Sequence, residues 1–455
     1  MPSSEIRMEL ERVPHYARFS TVDDLVASAR AAVTRHAGLA SCRDIGRSSD
    51  GEPIPMVTIG SGPKSALLVA CPHPNEPIGA MLVQFLIGEL IERAELRDGW
   101  TWHLIPCIDP DGTRLNEGWF DGPFTLRHYA RHFYRPWSQE QVEWTFPFQY
   151  EAFAWDKPLP ETRALMRAFH DTTPDFVYSL HNAGFGGVYY YLSKPIDAAY
   201  ASLHRIPQEL GLVLSLGEPE MPWAVEWAPA VYRFPSARDA YDYHAQYGSG
   251  NPAERISGGG SSWDYLTSIS EPDRLPMALI TELPYFQSPD ISDQTPTTET
   301  KRAVILAGID RTCEMLHVLS GLLAQVSGEM AQDTRLMRAV SSFVAHEAKS
   351  IESKRKWAQE AGDMSRPSTV AQRADELYVR TFYKMLMASM LNRALVEHLR
   401  AQRSPAAIQG QQRLEQMLDT WVRDVEEHLR YTTIPIRTLV QAQYGAMLAV
   451  LEHIR

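Results

Sequence analysis

The stretch from Leu67 to Ile87 constrains this chain more than any other part of its 455 residues. An apolar run of strand type, Leu67-Leu68-Val69-Ala70-Cys71, gives way to Pro72-His73-Pro74-Asn75-Glu76-Pro77. A helical pattern begins at Ala80 and continues to about Arg93, and 101–108 is strand-like again. Strand, helix and strand at this spacing point to an α/β sheet layered with helices. His73 and Glu76 then stand on a turn between a buried strand and a helix. Imidazole nitrogen and carboxylate oxygen are both zinc ligands, and a catalytic zinc takes three protein ligands and a water. A plain loop, with one polar His and one Glu at the positive end of a helix, fits the same short pattern. The rest of the chain has to decide between them.

Composition narrows the classes of function. A formal net charge of −12 argues against a nucleic-acid backbone as partner, which calls for clustered Lys and Arg. No apolar run reaches the length of a membrane span, so no membrane role is expected. Residues 1–13 lack the apolar core of a signal peptide. Cys42, Cys71, Cys107 and Cys313 are scattered, and Cys71 and Cys107 sit in apolar runs as buried thiols. A reducing cytoplasm is the simplest compartment.

Along the chain, 22–36 has helical periodicity, with Asp23 and Asp24 near its start. Residues 43–60 read as two strands around Asp50-Gly51. The aromatic-rich stretch 113–155 has little periodicity, and loops of that length in compact domains are usually functional. A short helix over 161–170 precedes Phe176-Val177-Tyr178-Ser179-Leu180-His181-Asn182, a buried strand that again ends at a His. Residues 188–192 form a further strand, Gly258-Gly259-Gly260 a flexible turn, and 276–283 a buried strand ending at Glu282. Beyond Glu299 come five amphipathic helical stretches, 301–326, 335–361, 368–402, 409–431 and 435–455. We expect a catalytic domain over 1–328 and a helical bundle or hairpins over 329–455. The methionines Met385, Met387 and Met390 belong to that bundle's core.

His73 with Glu76, His181 and Glu282 thus all fall at strand ends. In open α/β sheets the ligand crevice lies outside the carboxyl ends of the strands. Two His and one Glu make a catalytic zinc shell with one open position. A second Glu at a strand end can take the proton of the activated water. Each has a bland alternative, His181 as a satisfied core histidine and Glu282 as the partner of an Arg, but the four together favour the site.

The chain resembles zinc carboxypeptidases of the carboxypeptidase A type. His73-Pro74-Asn75-Glu76 resembles that family's first ligand pair, and Ser179-Leu180-His181 its third ligand. Asp109-Pro110-Asp111-Gly112 is similar to the family's Asn-Pro-Asp-Gly, and 45–54 to its N-terminal hairpin. Ser257-Gly258-Gly259-Gly260-Ser261-Ser262-Trp263-Asp264-Tyr265 resembles its specificity loop, and Thr281-Glu282-Leu283 the strand bearing its catalytic Glu. The resemblance covers about 40–290 and leaves the helical third outside it.

It implies a mixed, mostly eight-stranded sheet between helices, followed by an all-α C-terminal region. It also implies one zinc ion on His73, Glu76 and His181, and catalysis by Glu282 with an Arg steadying the oxyanion. The family's Asn-Arg clamp for the substrate carboxylate has no clean match. Arg135 is the candidate, with Arg114, Arg127 and Arg131 competing and Asn182 beside the third ligand. The family's mobile Tyr falls on Glu254, so that role is vacant or filled by Tyr241, Tyr243 or Tyr247. The small Ser261 at the specificity position argues against dedicated recognition of a basic terminal residue, with Asp264 nearby as a counter-indication. Residues 139–144, Gln-Glu-Gln-Val-Glu-Trp, have no assigned role.

The expected function is therefore a metallocarboxypeptidase acting on a peptide. The alternatives are an acylase or desuccinylase-like amidohydrolase acting on an N-acyl amino acid, and a non-catalytic binding protein on the same fold. The C-terminal helices could pair two copies, bind another protein or lie over the cleft.

Overall fold

The computed structural model describes residues 3–454. Nine strands form one mixed sheet: β1 (Ala40–Arg47), β2 (Pro53–Gly60), β3 (Lys64–Ala70), β4 (Trp100–Ile105), β5 (Phe176–Leu180), β6 (Tyr189–Leu192), β7 (Glu226–Ala228), β8 (Val231–Arg233) and β9 (Met277–Glu282). Their order is β1-β2-β4-β3-β5-β9-β6-β8-β7. The sheet has nine strands where eight were expected, and the β7–β8 pair, three residues each, is too short for periodicity to register.

The four central strands β4, β3, β5 and β9 are mutually parallel. Their carboxyl ends therefore lie side by side, and β3, β5 and β9 are the three that lead to His73, His181 and Glu282. The alternation of a strand splits each of them between two cores. Leu67 and Val69, Val177, and Ala278 and Ile280 face one apolar cluster with Leu165 and Phe169 of a helix over Pro160–Thr172. Ala66 and Leu68, Tyr178 and Leu180, and Leu279 face the other. Ser179, His181 and Glu282 continue the first set by parity.

On the second face lies helix α1 (Ile78–Glu92), buried along most of its length. Its approach to the sheet depends on Gly79, where an added Cβ would stand 2.3 Å from the Cβ of Leu180. Only a glycine lets the start of α1 rest on the end of β5, so the turn carrying Glu76 sits beside His181.

The helical third consists of α2 (Lys301–Val326), α3 (Arg335–Glu360), α4 (Arg380–Ala401), α5 (Pro405–His428) and α6 (Ile436–Leu451). Side-chain caps start three of them, Thr300, Thr334 and Ser404, and Thr369 caps the short helix Val370–Ala374 before α4. The expected helix over 368–402 is interrupted by a π-helical turn, Asp375–Val379, where buried Glu376 takes Lys354 at 2.8 Å and Arg380 at 2.8 Å.

The expected boundary at 328 does not divide the core. One apolar cluster runs from Leu68 and Leu180 through Tyr285 and Phe286 to Phe382, Leu391, Val422 and Leu448. Helix α6 returns to the sheet, where the carbonyl of Gln443 accepts from the Tyr178 hydroxyl at 3.0 Å. No helix among the described residues is long and apolar enough to cross a membrane.

Two glycines of α1 have opposite surroundings, which sets a test. Gly88→Ala meets nothing within 4 Å, so it should raise stability by about 0.5–1 kcal/mol, the usual helix-propensity gain. Gly79→Ala should lower the Tm despite the same propensity gain, because the new methyl has no room against Leu180. Thermal unfolding of the two variants checks both signs.

Candidate metal centre

β3 ends at Ala70, and Cys71 follows with φ of 51°, a left-handed conformation that is uncommon for a residue with a side chain. That kink turns the chain across the sheet end and delivers His73. The Glu76 amide then donates to the His73 carbonyl at 3.1 Å, closing a turn just before α1. Both side chains are almost wholly buried.

Glu76 is the hub. Nδ1 of His73 lies 3.1 Å from its carboxylate and Nδ1 of His181 lies 3.2 Å from Oε2. Arg135 donates to Oε1 at 2.8 Å, and the backbone amide of Asn182 donates to Oε2 at 3.2 Å. The Asn182 side chain accepts from the Ile78 amide at 3.2 Å, satisfying a first-turn donor of α1. Asn182 therefore ties the third strand end to the first.

The far side of His181 is held as well. Its Nε2 is 2.9 Å from Oε2 of Glu143 and 3.0 Å from the Ser179 hydroxyl, which itself donates to Glu143 at 2.6 Å. Glu282 stands 3.7 Å from His181 Nδ1.

Burial and charge pull these groups in different directions. Burial pushes the His73 pKa down to about 4, with Arg135 adding to the effect, so at neutral pH this ring is uncharged. Burial alone would raise Glu76, but its neighbours outweigh that and hold it well below the carboxylate range. With His73 neutral, Arg135 and His181 are the cations that remain beside Glu76. His181 goes the other way: burial would lower it, yet Glu143 and Glu76 hold it well above an ordinary imidazole. Glu143 is held at about 2 against its burial by the His181 charge. Glu282 is raised well above its usual value by burial; His181 opposes the shift while Glu76 and Glu220 add to it.

Could this pocket hold a metal ion? His73, Glu143 and His181 bring ligand atoms within 4.8 Å of one another. Glu76 closes a second triad with the same two rings. The Nδ1 atoms of both rings face Glu76, whereas Glu143 faces the Nε2 of His181, and one ring cannot turn both nitrogens to one ion. Oε2 of Glu76 lies 3.1 Å from Nδ1 of His73 and 3.2 Å from Nδ1 of His181, so a carboxylate meets a nitrogen of each ring there. Glu143 then matches the outer carboxylate that commonly orients a ligand histidine. Buried His73 Nε2 and Asn182 Nδ2 have no hydrogen-bond partner among the described residues. Two imidazoles and a carboxylate with a position left open suit zinc.

Several residues expected at the site have other work. Arg114 pairs with Asp23 at 2.7 Å and Glu52 at 3.2 Å, and Arg131 with Glu415 at 2.7 Å. Arg127 pairs with Asp419 at 2.7 Å. Ser261 caps the helix Ser262–Ile269 through Asp264, and Asp264 also accepts from Ala237, so both are consumed structurally. Tyr247 ends the helix Ala237–Tyr247, its hydroxyl accepting from Gln246 and its ring against Tyr243. Tyr241 lies against Tyr150, and Tyr243 against Trp223. Arg135 does reach the pocket, bound to Glu76 rather than standing free.

The stretch 139–144, left without a role by the sequence, supplies Glu143 to His181 and Gln141 to Arg135, whose Nε donates to Oε1 of Gln141 at 3.4 Å. The glycine turn lies on this stretch: the Gly259 amide donates to the Trp144 carbonyl at 2.6 Å, and a Cβ there would meet Trp155 at 2.3 Å.

A profile of the zinc carboxypeptidase family, Peptidase_M14, matches residues 25–270, more than half of the chain. No curated protein matches. Similar solved structures include a metallo-carboxypeptidase from Burkholderia cenocepacia, with 15% identity, a TM-score of 0.33, and coverage of 60% of this chain and 61% of that one. Carboxypeptidase A from Helicoverpa armigera shares 13% identity at a TM-score of 0.36, over 59% of this chain and 65% of that one.

Zinc affinity by chelator competition separates the two carboxylates. Glu76→Gln should weaken binding more than Glu143→Gln, whose loss should be about 10- to 100-fold, as for an outer partner. Arg114→Ala and Arg131→Ala should leave it unchanged. A larger loss at Glu143 would move the ion to the other side of His181.

Proposed function

The chain belongs to the zinc carboxypeptidase family, and from that premise we propose that it is a zinc-dependent amide hydrolase, releasing a C-terminal residue from a peptide. The observation that carries this reading is Glu282, at the end of β9 and 3.7 Å from the histidine at the end of β5. His73, Glu76 and His181 would hold one zinc ion. Bound there, zinc would supply a Lewis acid for the carbonyl and acidify water, which is the chemistry amide hydrolysis lacks at neutral pH.

The protein's own groups do the rest. Glu282 takes the proton of the attacking water and returns it to the leaving nitrogen. Burial raises the Glu282 carboxyl above its ordinary value, which makes it a stronger base toward that proton than an exposed carboxylate. Arg135 offers a fixed cation at the metal end of the cleft, where negative charge develops on the carbonyl oxygen. Glu143 and Ser179 keep the His181 ring turned with Nδ1 inward.

One observation favours the acylase or desuccinylase-like alternative. Arg135 is engaged by Glu76, while Arg114, Arg127 and Arg131 are paired with Asp23, Asp419 and Glu415. A second guanidinium for the substrate carboxylate is therefore not supplied by these candidates. A substrate recognised chiefly through its acyl half has less need of one.

A screen of C-terminally varied peptides and N-acyl amino acids, with product masses, separates the two. Glu282→Gln should keep zinc and lose at least about 100-fold in kcat, the scale of a lost general base. Near-normal turnover in that variant would remove Glu282 from the mechanism. Full zinc occupancy with no amide cleaved by the wild type would favour the non-catalytic alternative.

A further inference from the structure

The helical third lies outside the family match, yet its side chains reach the backbone that carries the site. Arg393, in the middle of α4, donates to three carbonyls at once: His132 at 2.6 Å, Phe133 at 2.8 Å and Leu115 at 3.0 Å. Two of these immediately precede Tyr134-Arg135. The Tyr134 backbone is held next, its amide donating to Asn116 at 2.9 Å and its carbonyl accepting from Asn116 at 2.8 Å. Downstream, Arg338 of α3 binds Glu140 at 2.7 Å, and Gln141 donates to the Pro136 carbonyl at 2.6 Å. The segment bearing Arg135 is thus gripped on both sides by residues of the C-terminal helices.

We propose that Arg393 is a positioning residue for Arg135, so that the helical region is a working part of the active site rather than an appended module. Carbonyls in an irregular loop need donors, and one guanidinium can satisfy three of them with a planar fork that a Lys cannot reproduce. Fixing Leu115, His132 and Phe133 to one rigid helix sets where the next two residues go. Arg135 then meets Glu76 with its guanidinium already aimed. The inference rests on the reading of Arg135 as the cation that steadies charge in the cleft.

The test is a double-mutant cycle in the full-length chain, with Arg135→Ala, Arg393→Ala and both together. Arg393→Lys is a milder variant should Arg393→Ala fold poorly. Arg437→Ala is the control, since Arg437 also holds backbone carbonyls, those of Val13 at 2.7 Å and Glu11 at 3.0 Å, away from the pocket. On a cleaved amide, each single change should lower kcat about 10-fold or more with KM little altered, and the pair should be no worse than Arg135→Ala alone. Zinc affinity gives a readout that needs no turnover. Removing Arg135 takes a competing cation off Glu76 and should tighten zinc severalfold, and Arg393→Ala should shift it the same way, adding nothing in the Arg135→Ala background. Additive effects in either cycle would overturn the proposal. So would an Arg393→Ala that, like Arg437→Ala, lowers only the Tm. If the wild type cleaves no amide, the hydrolase reading fails, and the zinc cycle still decides the role of Arg393.

Discussion

The structure turns on one buried carboxylate. Glu76 is 1% exposed, and an isolated ionised group at such a site would cost several kcal/mol in lost hydration. It stays charged because His73, Arg135 and the His181–Asn182 strand end converge on it from three parts of the chain. Breaking one buried pair costs about 3–5 kcal/mol, a large share of a typical folding stability of about 5–15. The turn after β3, the end of β5 and the long loop before Arg135 are therefore bound to fold together. The arrangement that keeps Glu76 ionised also points two imidazole nitrogens at it, and that convergence is what a divalent cation would use.

Much of this was legible in the sequence because the parallel strands advertise their own ends. His73, His181 and Glu282 each close an apolar run, and once three such runs are set side by side their last residues have to be neighbours. Glu76 follows from the turn length. Partners that depend on the loops were harder to read. Arg135 was in view among four arginines, and only the fold shows that the other three are paired with Asp23, Glu52, Glu415 and Asp419. Glu143 was out of reach, since nothing local links it to a histidine 38 residues later (181 − 143). Ser261 could have been read differently: Ser261-Ser262-Trp263-Asp264 is a capping pattern with Asp in place of Glu, and the structure uses it as one.

The helical third shows the same division. Its helices are visible as amphipathic stretches, and four begin at a Ser or Thr that caps them. Its relation to the sheet is not visible, because an amphipathic stripe says which face is buried and not what buries it. Helix α6 lies against the sheet, with Gln443 donating to the carbonyl of His181 at 3.0 Å, and Arg393 serves the loop before Arg135. Side chains from beyond residue 380 thus hold both a ligand strand and the arginine, although the family profile ends at 270.

The central claim, that two imidazoles and the Glu76 carboxylate form the metal shell, is tested most directly by zinc-edge X-ray absorption on the purified wild-type protein. The account predicts a shell of nitrogen and oxygen at about 2.0–2.2 Å, with the multiple scattering of two imidazoles and no sulfur. A sulfur shell at about 2.3 Å would place the metal on a cysteine, such as buried Cys71 or Cys107. That result, or a shell with fewer than two imidazoles, would contradict the site described above.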